Sequence, residues 1–435
     1  MSQASTLAPL PAAPESLSLH AYTDAQSRRA KRISLALMKQ LTPIANSRCR
    51  VQLWDGSFYP DDAPRDCTVT LRHPGSMRGM FIAHNGITLA ETYLRDLWDW
   101  EGDRDAMFEL IEAIGALPYP TLTKLHLGAQ LLRLPCPDAT KPRRWRPRAH
   151  LSGRPHSVER DKQAVAYHYN VGTDFYAEIL DPNLVYSCGV YADGEAADGD
   201  TLEQAQIRKL DGVCRDLQLS SGQKFLDVGC GWGGLLIHAA RNYGVEALGI
   251  TLSQPQADEA NRRIREAGLE DRCRAIVCDY REIDAWESFD AIASIEMFEH
   301  VGREMLETYF ERALKLLKPG GLFLNQGTTV QIEEGRKNYP SFIKQYVFPD
   351  GEVLPIEVSL GACEKVGFEV LSNFSIREDY VKTCDAWVKN LEEHHQRAKE
   401  LVGEPTWRVW HLYTAISGYS FRTGRCNCYQ TLMRK

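Results

Sequence analysis

A glycine-rich segment near the middle of the chain is the part whose residue types point most directly to ligand binding. The stretch LDVGCGWGG, residues 226–234, follows an apolar strand-like run and opens a helix-like one. Gly229 and Gly231 permit positive φ angles and close approach of a ligand, and the next helix N-terminus offers free N–H groups. Asp227, at the strand end, can receive the ammonium of an amino-acid moiety, and Cys230 within the loop is a further predicted cofactor contact. The segment predicts a polar or anionic ligand, with a dinucleotide as one candidate.

The residues after the second and third predicted strands narrow the choice of ligand. A dinucleotide site expects an acidic residue after the second strand, whereas this strand ends in GITLSQPQ, residues 249–256. Its neutral hydrogen-bonding side chains are Thr251, Ser253 and Gln256. After the third strand, Asp279 can accept from an adenine amino group and Tyr280 can cover the ring, although Asp279 can also be a plain helix cap. These features favour S-adenosylmethionine over a nicotinamide cofactor and hydride transfer.

Composition and charge exclude several other classes of function. Lys plus Arg number 51 against 58 Asp plus Glu, and the net charge of -7 argues against nucleic-acid binding, so any membrane contact must be local. The 12 cysteines show no paired CxxC spacing, which predicts reduced thiols and no metal site. No apolar run approaches the roughly 20 residues that cross a bilayer. We expect a cytoplasmic protein that visits the inner face of the membrane.

The chemistry-bearing segments lie where strands alternate with helices, a pattern typical of a parallel α/β sheet. Five short apolar runs are predicted strands: QKFLDV, VEALGI, CRAIVC, FDAIASI and GLFLNQ. The predicted fold is a Rossmann-like, mostly parallel sheet with helices on both faces, preceded by a smaller α+β domain. The predicted divisions are a flexible tail at 1–20, the α+β domain at 21–140, a basic linker at 141–160, and the main domain at 161–435, with a helical insertion at 327–357 and a helical pair at 379–420.

The predicted linker is strongly basic. Six Lys or Arg residues fall within positions 141–154, together with Trp145. Such a run is either a solvated connector or a surface that attracts anionic lipid head groups, each basic residue adding on the order of 1 kcal/mol. The indole slightly favours membrane contact, because it suits the membrane interface.

Several motifs together resemble those of one enzyme family. They are HYNVGTDFYAEILDPNLVYSCGVY (168–191), LDVGCGWGG, GITLSQPQ, DYREI, IEMFEHVG (295–302) and YPSFIKQYVFPDGEVLP (339–355). From about residue 165 the chain closely resembles the cyclopropane-fatty-acyl-phospholipid synthases and the mycolic acid cyclopropane synthases. The first 150 residues resemble the lipid-handling domain of the phospholipid-acting members, mainly through WDGS at 54–57. The resemblance implies a class I methyltransferase that acts on the double bond of a membrane phospholipid as a peripheral protein, with self-association as a homodimer.

The resemblance also assigns roles to individual residues. Those that would contact the cofactor are Tyr186, Ser187, Gly229, Gly231, Thr251, Gln256, Tyr280, Arg281 and Ile295. In the family a bicarbonate ion beside the reactive methyl acts as the base, and its holders correspond here to Cys188, Glu299, Gln326, Thr328 and Tyr380. LFLNQGTT stands where the family has LLHTI, so Gln326 replaces a histidine. An amide donates a hydrogen bond to an anion but does not titrate near neutrality.

The altered base pocket leaves two products open. Loss of a proton from the new methyl group closes a cyclopropane ring, whereas loss from a neighbouring chain carbon leaves a methyl-branched alkene. The intermediate cation needs shielding by aromatic faces. The candidates are Tyr169, Phe175, Tyr176, Tyr346, Phe348 and Trp387. Two rival functions remain: a methyltransferase of the same fold for a soluble small molecule, and a non-enzymatic lipid-binding module.

Overall fold

The computed structural model describes residues 22–83, 86–137, 148–192, 199–285, 287–332 and 342–435. The chain divides into two compact units. Unit 1 comprises Met1–Pro147, Pro340–Phe342 and Val402–Leu412, and unit 2 comprises Arg148–Tyr339, Ile343–Leu401 and Tyr413–Lys435. The main division falls within the predicted linker, but residues 402–412, which the sequence places in the main domain, belong to unit 1. The predicted tail, and the linker up to residue 147, lie outside the described residues.

Unit 1 is built on a four-stranded sheet with the order β2-β1-β3-β4. The strands are β1 (Cys49–Gln52), β2 (Phe58–Tyr59), β3 (Cys67–Leu71) and β4 (Trp98–Gly102). Strand β1 runs parallel to β3, and the other neighbouring pairs are antiparallel. The helices are α1 (Asp24–Gln40), α2 (Pro43–Asn46), α3 (Ser76–Phe81), α4 (Gly86–Leu94), α5 (Arg104–Gly115) and α6 (Thr121–Leu132). This mixture matches the predicted α+β domain.

An apolar cavity lies in the core of unit 1. Hydrophobic side chains from α1, β3, β4 and α5 line it, among them Met38, Val69, Trp98 and Leu110. It encloses about 590 Å³ of empty space, part of it continuous with solvent. A wall of this composition suits a hydrocarbon ligand, because it offers few groups that would bind water.

Residues 402–412 complete unit 1 through a buried charged contact. Arg408, which is 3% exposed, donates to Oδ1 of Asp96 at 2.5 Å and to Oδ2 of Asp99 at 3.0 Å. The hydroxyl of Tyr93 lies 2.7 Å from Nδ1 of His411. Because a buried guanidinium is costly unless it is fully paired, these contacts fix the position of the segment within the unit.

Unit 2 contains a seven-stranded sheet with the order β10-β11-β9-β8-β5-β6-β7. The strands are β5 (Lys224–Val228), β6 (Glu246–Thr251), β7 (Cys273–Val277), β8 (Phe289–Ile295), β9 (Leu317–Val330), β10 (Glu369–Ser375) and β11 (Cys426–Arg434). Strands β5 to β9 are parallel, and β11 runs antiparallel to both β9 and β10. All five predicted strands are present, which confirms the predicted mostly parallel sheet.

Helices pack on both faces of this sheet. The helices of the chain that begin after residue 148 are α7 (Val158–Tyr169), α8 (Thr173–Ala177), α9 (Leu202–Asp216), α10 (Gly234–Tyr243), α11 (Gln254–Glu266), α12 (Leu306–Leu316), α13 (Phe342–Tyr346), α14 (Ile356–Val366), α15 (Arg377–Glu393), α16 (His395–Val402) and α17 (Glu404–Arg422), of which Phe342 and residues 402–412 belong to unit 1. Adjacent strand residues point to opposite faces. Phe225 therefore joins a core cluster with Leu236, whereas Leu226 joins a second cluster with Phe310.

The helices differ from those predicted in two places. The segment predicted as a helical insertion at 327–357 begins inside β9, which continues to Val330. The predicted helical pair at 379–420 is instead the three helices α15 to α17, because Gly403 has a φ of +79° and separates the last two. None of the helices in the described stretches is long and apolar enough to cross a bilayer.

Candidate active site

The glycine-rich loop follows β5 and is bound to the end of β6. The N–H groups of Gly229 and Cys230 both donate to the carbonyl of Ile250 at 2.9 Å. Gly229 and Gly231 have φ values of +84° and +52°. A Cβ at Gly229 would lie 2.9 Å from Cγ of Met297, whereas one at Gly231 would meet no heavy atom within 4 Å. The loop is therefore tightly packed at its first glycine and open at its second.

A cleft opens at the carboxyl ends of the parallel strands, where ligands bind in sheets of this kind. It encloses about 1240 Å³ of empty space, part of it continuous with solvent. The predicted cofactor contacts that line it are Tyr186, Ser187, Asp227, Gly229, Cys230, Gly231, Thr251, Gln256, Asp279, Tyr280, Arg281 and Ile295. Ser253, also a predicted cofactor contact, is not among the residues that line the cleft. Its hydroxyl instead caps α11 by accepting from the Gln256 N–H at 3.4 Å.

Two oppositely charged side chains lie in this cleft near the end of β5. Burial raises the pKa of Asp227 to about 7, an effect that the nearby Lys209 opposes. Burial also lowers the pKa of Lys209, whose Nζ donates to Oγ of Ser187 at 2.8 Å. A carboxyl group and an amino group that line one cleft suit the zwitterionic amino-acid end of S-adenosylmethionine. Sequence reasoning missed Lys209, although its place between Ala205 and Leu210 on the apolar face of α9 signals its burial.

Thr251, the last residue of β6, forms a hydrogen-bonded pair with Gln256 of α11. Oγ1 of Thr251 donates to Oε1 of Gln256 at 2.7 Å and accepts from the N–H of Ser253 at 3.1 Å. These bonds fix the orientation of both side chains at the cleft wall. The pair is neutral, as predicted for a ribose contact that does not use a carboxylate.

Asp279 is bound to Arg281 rather than placed as a helix cap. Its Oδ1 accepts from the N–H and Nε of Arg281 at 2.9 and 2.7 Å, and its Oδ2 accepts from Nη2 at 2.6 Å. Nη2 of Arg281 also donates to Asp161 of α7 at 2.8 Å. Tyr280 packs edge-to-face on Tyr309 at 5.5 Å. The predicted adenine contacts therefore form one cross-linked wall that includes α7.

Glu296, which sequence reasoning missed, occupies the centre of a buried polar cluster. Its Oε1 accepts from the N–H of Cys188 and from Nε2 of Gln326, each at 2.8 Å, and its Oε2 accepts from the hydroxyl of Tyr380. Oε1 of Gln326 accepts from Nε2 of Gln430 at 2.8 Å, which orients the amide toward Glu296. The residues predicted to hold bicarbonate thus meet in space, but Cys188, Gln326 and Tyr380 bind the Glu296 carboxylate, so they do not fit a separate anion.

Glu299 is the second carboxyl group of this cluster. Its Oε1 accepts from the N–H of Thr328 at 2.5 Å, and its Oε2 has no hydrogen-bond partner among the described residues. Burial, with a contribution from the charge of Glu296, raises the pKa of Glu299 to about 8. The neighbouring His300 lines the cleft, and burial lowers its pKa to about 4, so the imidazole is neutral.

Aromatic side chains surround the same end of the cleft. Tyr169 and Tyr186 line it, and the ring of Tyr186 lies 5.2 Å from those of Tyr176 and Trp387. Phe348 does not line the cleft, and its ring stacks on the imidazole of His168 with the ring centroids 3.9 Å apart. Two other predicted candidates, Phe175 and Tyr346, are buried in the same unit and do not line the cleft.

The strand order, the glycine loop and the cleft define a class I S-adenosylmethionine-dependent methyltransferase. The family model for mycolic acid cyclopropane synthetase matches residues 156–431, and the chain belongs to that family. This confirms the resemblance found in the motifs. The protein is therefore a lipid-acting methyltransferase of the cyclopropane synthase family.

Relatives and solved structures agree with this assignment. A probable fatty acid methyltransferase of Pseudomonas putida is 34% identical over 406 residues, 92% of this chain and 95% of that protein. A probable fatty acid methyltransferase of Mycobacterium tuberculosis is 38% identical over 301 residues, 69% of this chain and 68% of that protein. The structures of the cyclopropane synthase MmaA2 from Mycobacterium tuberculosis and of the mycolic acid cyclopropane synthase CmaA1 complexed with SAH and CTAB are each 29% identical, with a TM-score of 0.59 over 63% of this chain and 98% of theirs.

Proposed function

We propose that the protein adds the methyl group of S-adenosylmethionine to the double bond of an unsaturated phospholipid acyl chain and closes a cyclopropane ring. The observation that carries this is the half-buried Glu296, whose carboxylate lies beside an aromatic wall that includes Tyr169 and Tyr186 at the cofactor cleft. A carboxylate supplies a base, and aromatic faces tolerate a transient cation. A hydrocarbon acceptor needs both.

The residues of the cleft divide the work of the reaction. Bound S-adenosylmethionine supplies an electrophilic methyl group. Asp227 and Lys209 hold its amino-acid end, which fixes the methyl group against the acceptor. The π electrons of the alkene form the new C–C bond as the C–S bond breaks, and a cation remains on the acyl chain. Tyr169 and Tyr186 exclude water from it and stabilise it by about 0.5 to 2 kcal/mol. Loss of a proton to a base completes the product.

A membrane phospholipid is the proposed acceptor. The relatives named above act on fatty acids by their names. The apolar cavity of unit 1 suits a hydrocarbon chain. The basic segment at 141–154 supports peripheral contact with anionic head groups at the cytoplasmic face, and a homodimer would present two such segments to one surface.

A methyl-branched unsaturated chain is the second candidate product. Gln326 stands where the family pattern has histidine and binds Glu296, which alters the base pocket. The two relatives are named methyltransferases and not cyclopropane synthases. A base closer to the acyl chain would remove a proton from a chain carbon, which restores a double bond and leaves the methyl branch.

One labelling experiment separates the two products. The purified protein is incubated with S-adenosylmethionine that carries a trideuterated methyl group and with vesicles of a monounsaturated phosphatidylglycerol, and the fatty acids are analysed by mass spectrometry. Ring closure removes one deuterium and leaves two in the product, whereas a methyl branch keeps all three. Vesicles of the matched saturated lipid are the control. If no deuterium enters unsaturated chains, the proposed function is wrong.

A further inference from the structure

The carboxylate of Glu296 uses the hydrogen-bond donors of its own pocket. It lines the cleft and accepts from the N–H of Cys188, the amide of Gln326 and the hydroxyl of Tyr380. Sγ of Cys428 lies 3.8 Å from its Oε1. These donors would otherwise be free to bind a small anion from solution. Because two like charges cannot share one set of donors in a buried site, the side chain excludes such an anion.

The backbone fixes this carboxylate in position. Glu296 follows directly after β8 with a φ of +54°, in the left-handed region that residues with side chains rarely adopt. Its N–H donates to the carbonyl of Gln326 at 2.8 Å, so main chain and side chain are both bound to the same residue of β9. Strained conformations of this kind persist where surrounding contacts determine them, and they cluster at functional sites.

We propose that the Glu296 carboxylate is the general base of the reaction and takes the place of a bound bicarbonate ion. This rests on the proposed function, methyl transfer to an acyl double bond. After that transfer, one C–H bond of the new methyl group breaks, and its electron pair forms the last C–C bond of the ring. The proton passes to an oxygen of Glu296, which becomes a neutral carboxylic acid, and it leaves to solvent when the product departs. No other reactant is needed.

Glu299 allows Glu296 to carry the charge. Two carboxyl groups in one buried site do not both ionise readily, and their environments decide which one does. Among the described residues, the donors to Glu299 come from Thr328 and its Oε2 has no hydrogen-bond partner, whereas Glu296 has three donors and the attraction of Lys209. Burial raises the pKa of both carboxyl groups, but these donors and Lys209 act against the rise at Glu296, so the negative charge of the pair is favoured on the side chain that lines the cleft.

The test uses full-length wild type and the variants Glu296→Gln and Glu296→Gly. Glu311→Gln, which changes an exposed carboxylate on α12, is the matched control. Methyl transfer to unsaturated vesicles is measured in buffer purged of carbon dioxide and in the same buffer with added bicarbonate, and S-adenosylmethionine binding is measured by calorimetry. We expect wild type and Glu311→Gln to be insensitive to bicarbonate. Glu296→Gln should lose about 10²- to 10⁴-fold in turnover and still bind S-adenosylmethionine. Glu296→Gly, which frees the donors, should recover activity when bicarbonate is added.

Each alternative outcome has its own meaning. A wild-type rate that requires bicarbonate, or a Glu296→Gln variant with full turnover, overturns the inference. Retained cofactor binding separates loss of the base from loss of the fold, and the wild-type response to bicarbonate needs no variant. A wild-type protein that labels no acyl chain at all contradicts the proposed function, which is a different result from labelled chains whose formation depends on bicarbonate.

Discussion

At the scale of single residues, we expect Asp227 to couple the protonation of the cleft to cofactor binding. Its pKa of about 7 means that the carboxyl is half protonated at neutral pH without a ligand. The ammonium of S-adenosylmethionine needs the ionised form. We predict that affinity falls toward tenfold for each pH unit as the pH drops below 7, and that it falls again above about 8, where the α-amino group of the ligand loses its proton; calorimetry across this range would show both limbs. Asp227→Asn should bind weakly without the slope below pH 7, and an unchanged slope in the variant would assign it to another group.

Glu299 should make stability depend on pH. Its folded pKa of about 8 lies above the ordinary value of about 4.3, so between these values the folded state binds more protons than the unfolded state. The free energy of unfolding therefore falls as pH rises through this window. Urea denaturation should show Glu299→Gln gaining stability over wild type toward pH 8, where the wild-type carboxyl would otherwise ionise. A difference between the two proteins that stays constant with pH would refute this.

The site residues that the sequence predicted and Glu296, which it did not predict, differ in how strongly the local sequence indicates their position. Asp227 and Thr251 lie at the carboxyl ends of β5 and β6, two strands with a strong apolar pattern, so the local sequence predicts their place at the cleft. Glu296 stands three positions before Glu299 in IEMFEHVG, and only the second matches the family position. The direction of the Glu296 side chain depends on a positive φ and on donors from β9 and α15, which the sequence around it does not encode.

At the scale of elements, the turn after β8 packs directly on β9. A Cβ at Gly327 would lie 1.8 Å from Cε1 of Phe298, and the residues beside Gly327 bind Glu296 and Glu299. We predict that Gly327→Ala displaces the Phe298 ring and with it both carboxylates. Calorimetric unfolding should show a loss of about 1 to 3 kcal/mol, and the labelling assay should show reduced turnover.

The control for this change is another glycine of the same unit. Gly212 lies within α9, and a Cβ there meets no heavy atom within 4 Å. Gly212→Ala should be neutral or should stabilise by up to about 1 kcal/mol, because alanine favours a helix. If both alanine variants behave alike, close packing at Gly327 does not position the site.

The strands differed in how clearly the sequence shows them. QKFLDV and FDAIASI are continuous apolar runs because both faces of a central strand are buried. Strand β10, with the sequence EVLSNFS, is largely exposed at the sheet edge and was not predicted. Its pairing with β11 lies outside any local pattern, since the partners are more than 50 residues apart.

At the scale of the whole molecule, chain order and structural units do not coincide. Unit 1 needs residues 402–412, whose Arg408 is buried against Asp96 and Asp99. The sequence of the first 150 residues does not predict this contact, because Arg408 belongs to a segment more than 250 residues further along the chain. A fragment of residues 1–147 should therefore lack cooperative unfolding when followed by circular dichroism. A fragment with a sharp transition would show that the unit is complete without that segment.

The same contact can be tested in the intact chain. Removing one partner of a buried ion pair leaves an uncompensated charge, so Arg408→Ala should lower the stability of unit 1 by about 3 to 5 kcal/mol. Arg262→Ala is the control, because that side chain is 51% exposed in an ion pair on α11 and should cost less than about 1 kcal/mol. Equal losses in thermal unfolding would mean that Arg408 contributes no more than a surface arginine.

The backbone angle of Glu296 also constrains how this position can evolve. Glycine adopts a φ of +54° freely, whereas most other residues there cost about 1 to 2 kcal/mol. Because glycine avoids this backbone cost, we expect glutamate to be retained at this position only where its carboxylate is required for function. Across homologous sequences, position 296 should therefore alternate mainly between glutamate and glycine. The glutamate should co-occur with glutamine at position 326, the residue whose amide binds it in this chain.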